Sequence, residues 1–468
     1  MPHFDPAQIA RWTGGRWTVS PTARLTGFAI DTRQVRPGEI FVALKTAVRD
    51  GHDFLATALQ AGASAAIVSS PNLNVALPQL IVDDTLAAFQ VIAREHRRAF
   101  AGPVIGVTGS AGKTSTKNLL ALLLGARAEA SPVLATEGNL NNHLGVPLTL
   151  TRLELSRHQF AVIEAGISAP GDMSVLAAMI EPDVALTTLV AAAHIKELGS
   201  IDGVALEKSR LSAAVRPTGV AIYPAQCAAF PAFQDLAVSQ IKVEPVTRDT
   251  GVKFPANSIG FVLKQSPETT HIELLRGQGK MSAFTLRRVT DGMAQNAALA
   301  ISAALYLGVS ATVIQERLQT YAPTAMRGEW RRVSGCLLYL DCYNANPASM
   351  RDALVTFRAV APETEPRLYV IGGMEELGEQ AGRYHHDLGR LIDLRAEDLL
   401  VTIGDYADEL CAGAIEQGIN ASQISVVTTH ADIAAAIAGF RGSIFVKGSR
   451  RYQLEAALSA LLDPIVSC

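Results

Sequence analysis

The sequence predicts an α/β protein of three domains: a small α/β N-terminal domain (1–100), a central parallel sheet (101–325) and a C-terminal Rossmann-like doubly wound sheet (326–468). Three observations carry this. A chain of 468 residues corresponds to about three domains. An apolar run, a glycine loop and an apolar helix follow one another over residues 103–124. From residue 336 onward, strand-like and helix-like stretches alternate.

In the first segment, Phe28-Ala29-Ile30 and Ile40–Leu44 read as strands, Phe54–Leu59 as a short helix and Ser64–Val68 as a strand. The turn Asp31-Thr32-Arg33 between the first two strands suits a nucleotide diphosphate or a uracil edge, or is simply solvated. Arg94-Glu-His-Arg-Arg98 reads as a solvated helix end leading to a linker.

The central segment opens on Pro103-Val104-Ile105, a buried strand, followed by Gly106-Val107-Thr108-Gly109-Ser110-Ala111-Gly112-Lys113-Thr114-Ser115 and then the helix Thr116–Leu124. Strand, glycine loop and helix in that order form a phosphate cradle: the loop turns its N–H groups toward an anion, and the helix N-terminus adds partial positive charge. Lys113 is placed to reach the β- and γ-phosphates and the Thr114 hydroxyl to sit on Mg²⁺. The full pattern wants glycine where Val107 stands. The central domain is therefore expected to be of the P-loop ATPase type and to bind ATP with Gly109, Ser110, Ala111, Gly112, Lys113, Thr114 and Ser115.

Next, Ala135-Thr136-Glu137-Gly138-Asn139-Leu140-Asn141-Asn142-His143 is a loop dense in hydrogen-bonding side chains, more often functional than idle. Phe160–Gly166 reads as a strand ending in Glu164, and ligands of parallel sheets gather at the carboxyl ends of strands. Glu164 is thus placed to hold the Mg²⁺ of a nucleotide at Lys113. Pro182–Val190 reads as another strand running toward His194, which is either a ligand or a structural histidine. Lys208, on a helix over 202–214, reads on its own as a salt-bridged lysine. Asn296, on the alanine-rich helix 291–307, either meets an adenine edge or caps a turn.

In the third segment, strands at 336–341, 367–371, 399–403, 424–427 and 444–447 alternate with helices at 348–358, 382–394, 406–416, 431–440 and 451–462. Two polar clusters fall at strand ends, Asp341-Cys342-Tyr343-Asn344-Ala345-Asn346-Pro347 and Lys447-Gly448-Ser449-Arg450.

Composition excludes several classes. With 41 basic and 44 acidic residues the net charge is −3, and no basic stretch suits nucleic acid or a membrane surface. No apolar run reaches membrane-spanning length, and the N-terminus does not read as a signal peptide. Cys227, Cys336, Cys342, Cys411 and Cys468 are scattered, which fits a reducing, cytoplasmic setting.

Four blocks together carry a family resemblance: Gly109-Ser110-Ala111-Gly112-Lys113-Thr114, Ala135–Asn142, Asp341–Met350 and Lys447–Arg450 resemble the Mur ligases of peptidoglycan synthesis. The Thr-Glu-Gly-Asn-Leu-Asn-Asn and Tyr-Asn-Ala-Asn-Pro blocks are the most specific. They point to the activity that joins D-alanyl-D-alanine to UDP-N-acetylmuramoyl-tripeptide through an acyl phosphate, with ATP and two Mg²⁺.

The resemblance implies roles for residues. Asp31, Thr32 and Arg33 match the UDP-binding position. Thr114 and Glu164 match ligands of one Mg²⁺, and His194 of a second. Lys208 matches a lysine that carries a carbamate in many relatives. Asn296, Arg327 and Asp341 fall where relatives contact adenine, γ-phosphate and ribose. Lys113, Lys208, His194 and Arg327 are the expected catalytic set. Thr136, Glu137, Asn139, Asn141, Asn142, Tyr343, Asn344, Asn346, His385, Lys447 and Ser449 are expected on the substrate side. The chain departs from its relatives near Thr46, at Ala111, at Gly292-Met293 and at Gly373. A monomer is expected. Two other readings stay open: a sibling ligase (third-residue-adding, or a folylpolyglutamate synthetase), and a non-catalytic module that binds nucleotide and UDP-sugar.

Overall fold

The computed structural model describes residues 2–247, 254–277 and 279–462. It holds three mainly parallel sheets flanked by helices. The N-terminal sheet runs, edge to edge, Arg16–Trp17, Gln79–Ile81, Ala65–Val68, Glu39–Val42, Gly27–Ala29, antiparallel only at its first pair. In the central sheet, Val104–Thr108 lies between Phe160–Glu164 and Val184–Thr187, parallel to both. Parallel strands buried on both faces read as continuous apolar runs, which is why this core was legible.

Each face of that sheet is covered. On one, Leu119 and Leu123 of the helix Lys113–Leu124 pack with Ala297 and Ile301 of the helix Asp291–Tyr306. On the other, Leu176 and Leu211 of two further helices join Ile163 and Ala185. Each fully buried aliphatic side chain contributes about 1.5–3 kcal/mol.

The far edge of the sheet was not anticipated. Ser258–Gln265, Thr269–Arg276 and Gly279–Arg287 form an antiparallel meander that extends it. Its alternating burial is that of a sheet solvated on one side.

The C-terminal sheet is ordered Glu329–Val333, Cys336–Asp341, Ser443–Lys447, Arg367–Gly372, Leu399–Ile403, Ile424–Val426. Only the Glu329–Val333 edge is antiparallel. The parallel register sets Asp341 opposite Lys447, so the two polar clusters meet at one carboxyl edge.

Three expectations need correction. Arg94–Arg98 is not a solvated end: Arg97 has a fully buried side chain that donates to the Ile180 and Glu181 carbonyls and pairs with Asp183 at 2.8 Å. Removing Asp183 would strand a buried guanidinium, a change that costs about 3–5 kcal/mol in comparable pairs. The stretch 451–462 is not one helix; it breaks into 3₁₀ turns at Arg450–Tyr452 and Leu454–Leu458 and a short helix from Ser459, because Gln453 takes a left-handed φ of 41°. The helix begun at Ala381 stops at Gly389 instead of reaching Leu394.

Cys227, Cys336, Cys342 and Cys411 are buried free thiols; Cys468 lies outside the described residues. No helix among the described residues is long and apolar enough to cross a membrane.

Candidate active site

The cradle forms as the residue order requires. Val104–Thr108 delivers the chain to Gly109, and the helix starts at Lys113 with Gly112 in a left-handed conformation (φ 76°) as its cap. A side chain at Gly112 would lie 2.2 Å from Asn296 Nδ2, so only glycine lets the loop pass there. Ser110 locks the loop to the neighbouring strand end: its hydroxyl donates to the Ala191 carbonyl at 2.9 Å and its N–H donates to the Leu189 carbonyl at 2.7 Å. Thr188 donates to the Ala111 carbonyl at 2.5 Å.

Lys113 folds back so that Nζ donates to the Gly109 carbonyl at 2.7 Å. Burial holds its pKa below the ordinary lysine value, with Glu164 pulling the other way. Glu164 is 1% exposed. Its Oε1 accepts from the Thr114 hydroxyl at 3.1 Å and from Asn141 Nδ2 at 2.8 Å, while Oε2 is buried with no protein partner. The strand-end carboxylate, the helix-start threonine and the amide-rich loop therefore meet at one point. Lys117, one turn beyond Lys113, is buried and donates to the Thr136 carbonyl at 2.5 Å; the Thr136 hydroxyl accepts from the Glu164 N–H at 2.9 Å.

These groups open onto a cleft of ≈ 790 Å³ between the central and C-terminal sheets. From the C-terminal side come Arg327, Asp341, Tyr343 and Lys447. The Arg327 guanidinium carbon sits 3.9 Å from the Tyr343 ring centroid, a cation–π contact that holds it in the cleft. Lys447, 1% exposed, pairs with Asp341 at 2.5 Å. Asn346 caps the helix Pro347–Val360 and reaches across to the Ser110 carbonyl at 3.3 Å, tying the C-terminal domain to the cradle.

His194 lines the cleft; its Nδ1 lies 2.6 Å from Glu376 Oε2, an ion-pair approach without the alignment of a hydrogen bond. The His194 ring holds the Glu376 carboxyl below its ordinary pKa. Lys208 is fully buried and its Nζ has no protein partner, contrary to a salt-bridged helix lysine. Burial, with Lys113 nearby, pushes its pKa well below the ordinary lysine value.

Of the expected site residues, Ser110, Ala111, Gly112, Lys113, Thr114, Ser115, Asn139, Asn141, Asn142, Glu164, His194, Asn296, Arg327, Asp341, Tyr343, Asn344, Asn346 and Lys447 line this cleft. Others do not. His385 is 1% exposed and spends both ring nitrogens on the chain, Nε2 accepting from the Met374 N–H and Nδ1 donating to the Ala381 carbonyl. Ser449 is buried and accepts from the Glu375 N–H. Thr136 is buried beneath Glu164, and Glu137 makes an exposed ion pair with Arg152. Asp31 caps the 3₁₀ turn Thr32–Gln34 and pairs with Arg33 at 2.6 Å on the N-terminal sheet, away from the cleft lining.

Sequence reasoning missed Thr188, Lys117, Asp352 and Glu376. Thr188 could have been found, since it follows the strand next to the cradle. Glu376 carries no local signal; only domain packing sets it beside His194.

The chain matches three family models: Mur ligase family, catalytic domain, over residues 24–100; Mur ligase middle domain over 107–304; and Mur ligase, glutamate ligase domain, over 326–450. It is 31% identical over 450 residues to the UDP-N-acetylmuramoyl-tripeptide–D-alanyl-D-alanine ligase of Bacillus subtilis, with 94% of each chain covered. It superposes on a crystal structure of MurF from Acinetobacter baumannii with a TM-score of 0.85, 29% identity and 99% of each chain covered. It superposes on MurF ligase from Thermotoga maritima in complex with ADP with a TM-score of 0.77 and 25% identity, covering 92% of this chain and 96% of that one. Matched by three family models and by a relative 31% identical over 94% of its length, the chain belongs to the Mur ligase family.

Proposed function

We propose that this chain is an ATP-dependent ligase that joins D-alanyl-D-alanine to UDP-N-acetylmuramoyl-tripeptide, releasing ADP and phosphate. The observation that carries this is the convergence of Lys113, Thr114, Glu164 and Asn141 from the central sheet with Arg327, Asp341 and Lys447 from the C-terminal sheet. The identity to the Bacillus subtilis enzyme along the whole chain supports the choice of substrates.

In this reading residues 1–100 take the UDP end, residues 101–325 bind ATP and residues 326–468 close over it. Asp31, Thr32 and Arg33 are assigned to the UDP end. The Gly109–Ser115 backbone cradles the phosphates and Lys113 lies along the β- and γ-phosphates. Arg327 offsets charge on the γ-phosphoryl, and Asn296 and Asp341 contact adenine and ribose. The peptide carboxylate attacks the γ-phosphorus, giving an acyl phosphate and ADP. The free amine of D-alanyl-D-alanine then attacks the acyl carbon, and the tetrahedral intermediate expels phosphate as the amide forms. Acceleration comes from positioning and fixed positive charge, and a closed cleft keeps water from the acyl phosphate.

Among the described residues no group of three His, Cys, Asp or Glu gathers for a metal. Mg²⁺ does not require one: it takes one or two carboxylates, waters and substrate phosphates. The unpartnered Glu164 Oε2 with the Thr114 hydroxyl fits one ion, and we assign His194 and Lys208, as a carbamate, to a second. Burial disfavours the charged ammonium and so favours the uncharged amine, the form that adds CO₂, which supports the Lys208 assignment. Bound Mg²⁺ supplies charge neutralisation on the phosphates.

The test is phosphate release from ATP. Release with UDP-N-acetylmuramoyl-tripeptide only when D-alanyl-D-alanine is also present is expected. Release with a shorter UDP-peptide and a free amino acid instead would move the chain to a sibling ligase. ATP binding without release for any pair would make it a non-catalytic module.

A further inference from the structure

Tyr339 sits inside the strand Cys336–Asp341, two residues before Asp341 and therefore on the same sheet face. Its ring is fixed: it stacks on Phe445 at 5.5 Å between centroids and leans on Trp330 at 4.8 Å. The residue is 0% exposed, yet it lines the cleft. Its hydroxyl has no hydrogen-bond partner in the protein. A buried hydroxyl left unmade costs about 1–3 kcal/mol, so such a group in a cleft wall points to a ligand.

What surrounds the hydroxyl defines that ligand. Asp341 and Asp352, from two different elements of the C-terminal domain, line the same cleft as Tyr339. Asp352, on the helix Pro347–Val360, accepts from the Gly292 N–H at 3.0 Å, which fixes it against the central domain. Asp341 is fixed by Lys447. Each carboxylate has lone pairs beyond those engaged. The cleft wall therefore offers one donor and two anchored acceptors. A vicinal diol matches this: its two hydroxyls donate to the carboxylates and one oxygen accepts from the phenol.

We propose that Tyr339, with Asp352 beside Asp341, reads the ribose 2′,3′-diol of the nucleotide, making Tyr339 a specificity residue for ribonucleotides. This rests on the ATP reading above. The aromatic packing holds the phenol in place before ligand arrives, so the hydrogen bond forms without ordering a side chain.

The experiment is calorimetric binding of ATP, 2′-deoxy-ATP and 3′-deoxy-ATP with Mg²⁺ to the full chain and to Tyr339→Phe. Wild type is expected to lose about three- to tenfold affinity for at least one deoxy nucleotide, the worth of one hydrogen bond. Tyr339→Phe is expected to weaken ATP by a similar factor and to shrink the gap between ATP and that analogue. Asp352→Asn is expected to shrink the same gap. Equal wild-type affinity for all three nucleotides overturns the proposal while leaving ATP binding intact. So does a variant that folds, by an unchanged melting transition, and keeps the full gap. No ATP binding at all overturns both this proposal and the ATP reading.

Discussion

His194 Nδ1 and Glu376 Oε2 lie 2.6 Å apart across the boundary between the central and C-terminal sheets, and both residues hold left-handed backbone, at φ 55° and 64°. Non-glycine residues in that region are strained by about 1–2 kcal/mol each. Strain of this kind persists where the surrounding structure fixes it. A pair that is partly exposed is worth about 0.5–1 kcal/mol. Glu376→Ala is expected to lower kcat/KM for phosphate release about threefold. Combined with His194→Ala, the losses should fall short of additive by a similar energy. Full additivity across the four proteins would show that the contact is not coupled to turnover.

Lys113 is folded over the cradle, with Nζ on the Gly109 carbonyl. Lys113→Ala should reduce kcat on the order of 10²–10³-fold, the effect of removing one charge-stabilising donor. Near-normal ATP turnover in that variant would sink the cradle assignment.

Gly112 occupies φ 76° with no room for a Cβ beside Asn296. Gly112→Ala should destabilise the fold by about 1–2 kcal/mol from backbone strain alone, read as a lowered denaturation midpoint, and weaken ATP binding. The double variant with Asn296→Ala removes the clash but not the strain. It should recover only part of the stability.

Lys208 is a buried amine without a protein partner. Lys208→Met should stabilise the fold by about 1–3 kcal/mol, since a desolvated polar group gives way to an apolar one of similar length. Phosphate release should nevertheless be lost. A variant that is both less stable and fully active would contradict both halves.

Asp50 accepts from the His52 N–H and pairs with its ring at 2.6 Å, which holds its pKa down to about 2 from an ordinary 3.8. A carboxylate with a depressed native pKa stabilises the fold above its unfolded value, and that contribution fades as pH falls through the native one. The difference in melting temperature between wild type and Asp50→Asn should thus be full above about pH 4 and vanish toward about pH 2. A difference constant across that range would assign it to packing.

Much of the site was legible because its geometry is local. The order of apolar strand, Gly109–Gly112 loop and helix dictates where N–H groups and Lys113 point, since each conformation is set by contiguous residues. Glu164 followed from the rule that ligands collect at strand carboxyl ends, and it stands beside Thr114 at 3.1 Å. His385 and Ser449 show the limit. The resemblance put both on the substrate side, but their polar atoms are turned inward to satisfy Met374, Ala381 and Glu375.

By itself, the sequence determined the α/β class, the cradle and the alternation of the C-terminal sheet, because period and glycine placement act over a few residues. Only the tertiary structure decided that Lys447 meets Asp341, that Asn346 reaches Ser110, that Glu376 faces His194 and that Arg97 is buried. Those contacts join residues far apart in the chain. Strand order, register and domain docking select them by summed packing over whole faces, and no single stretch of sequence carries that sum.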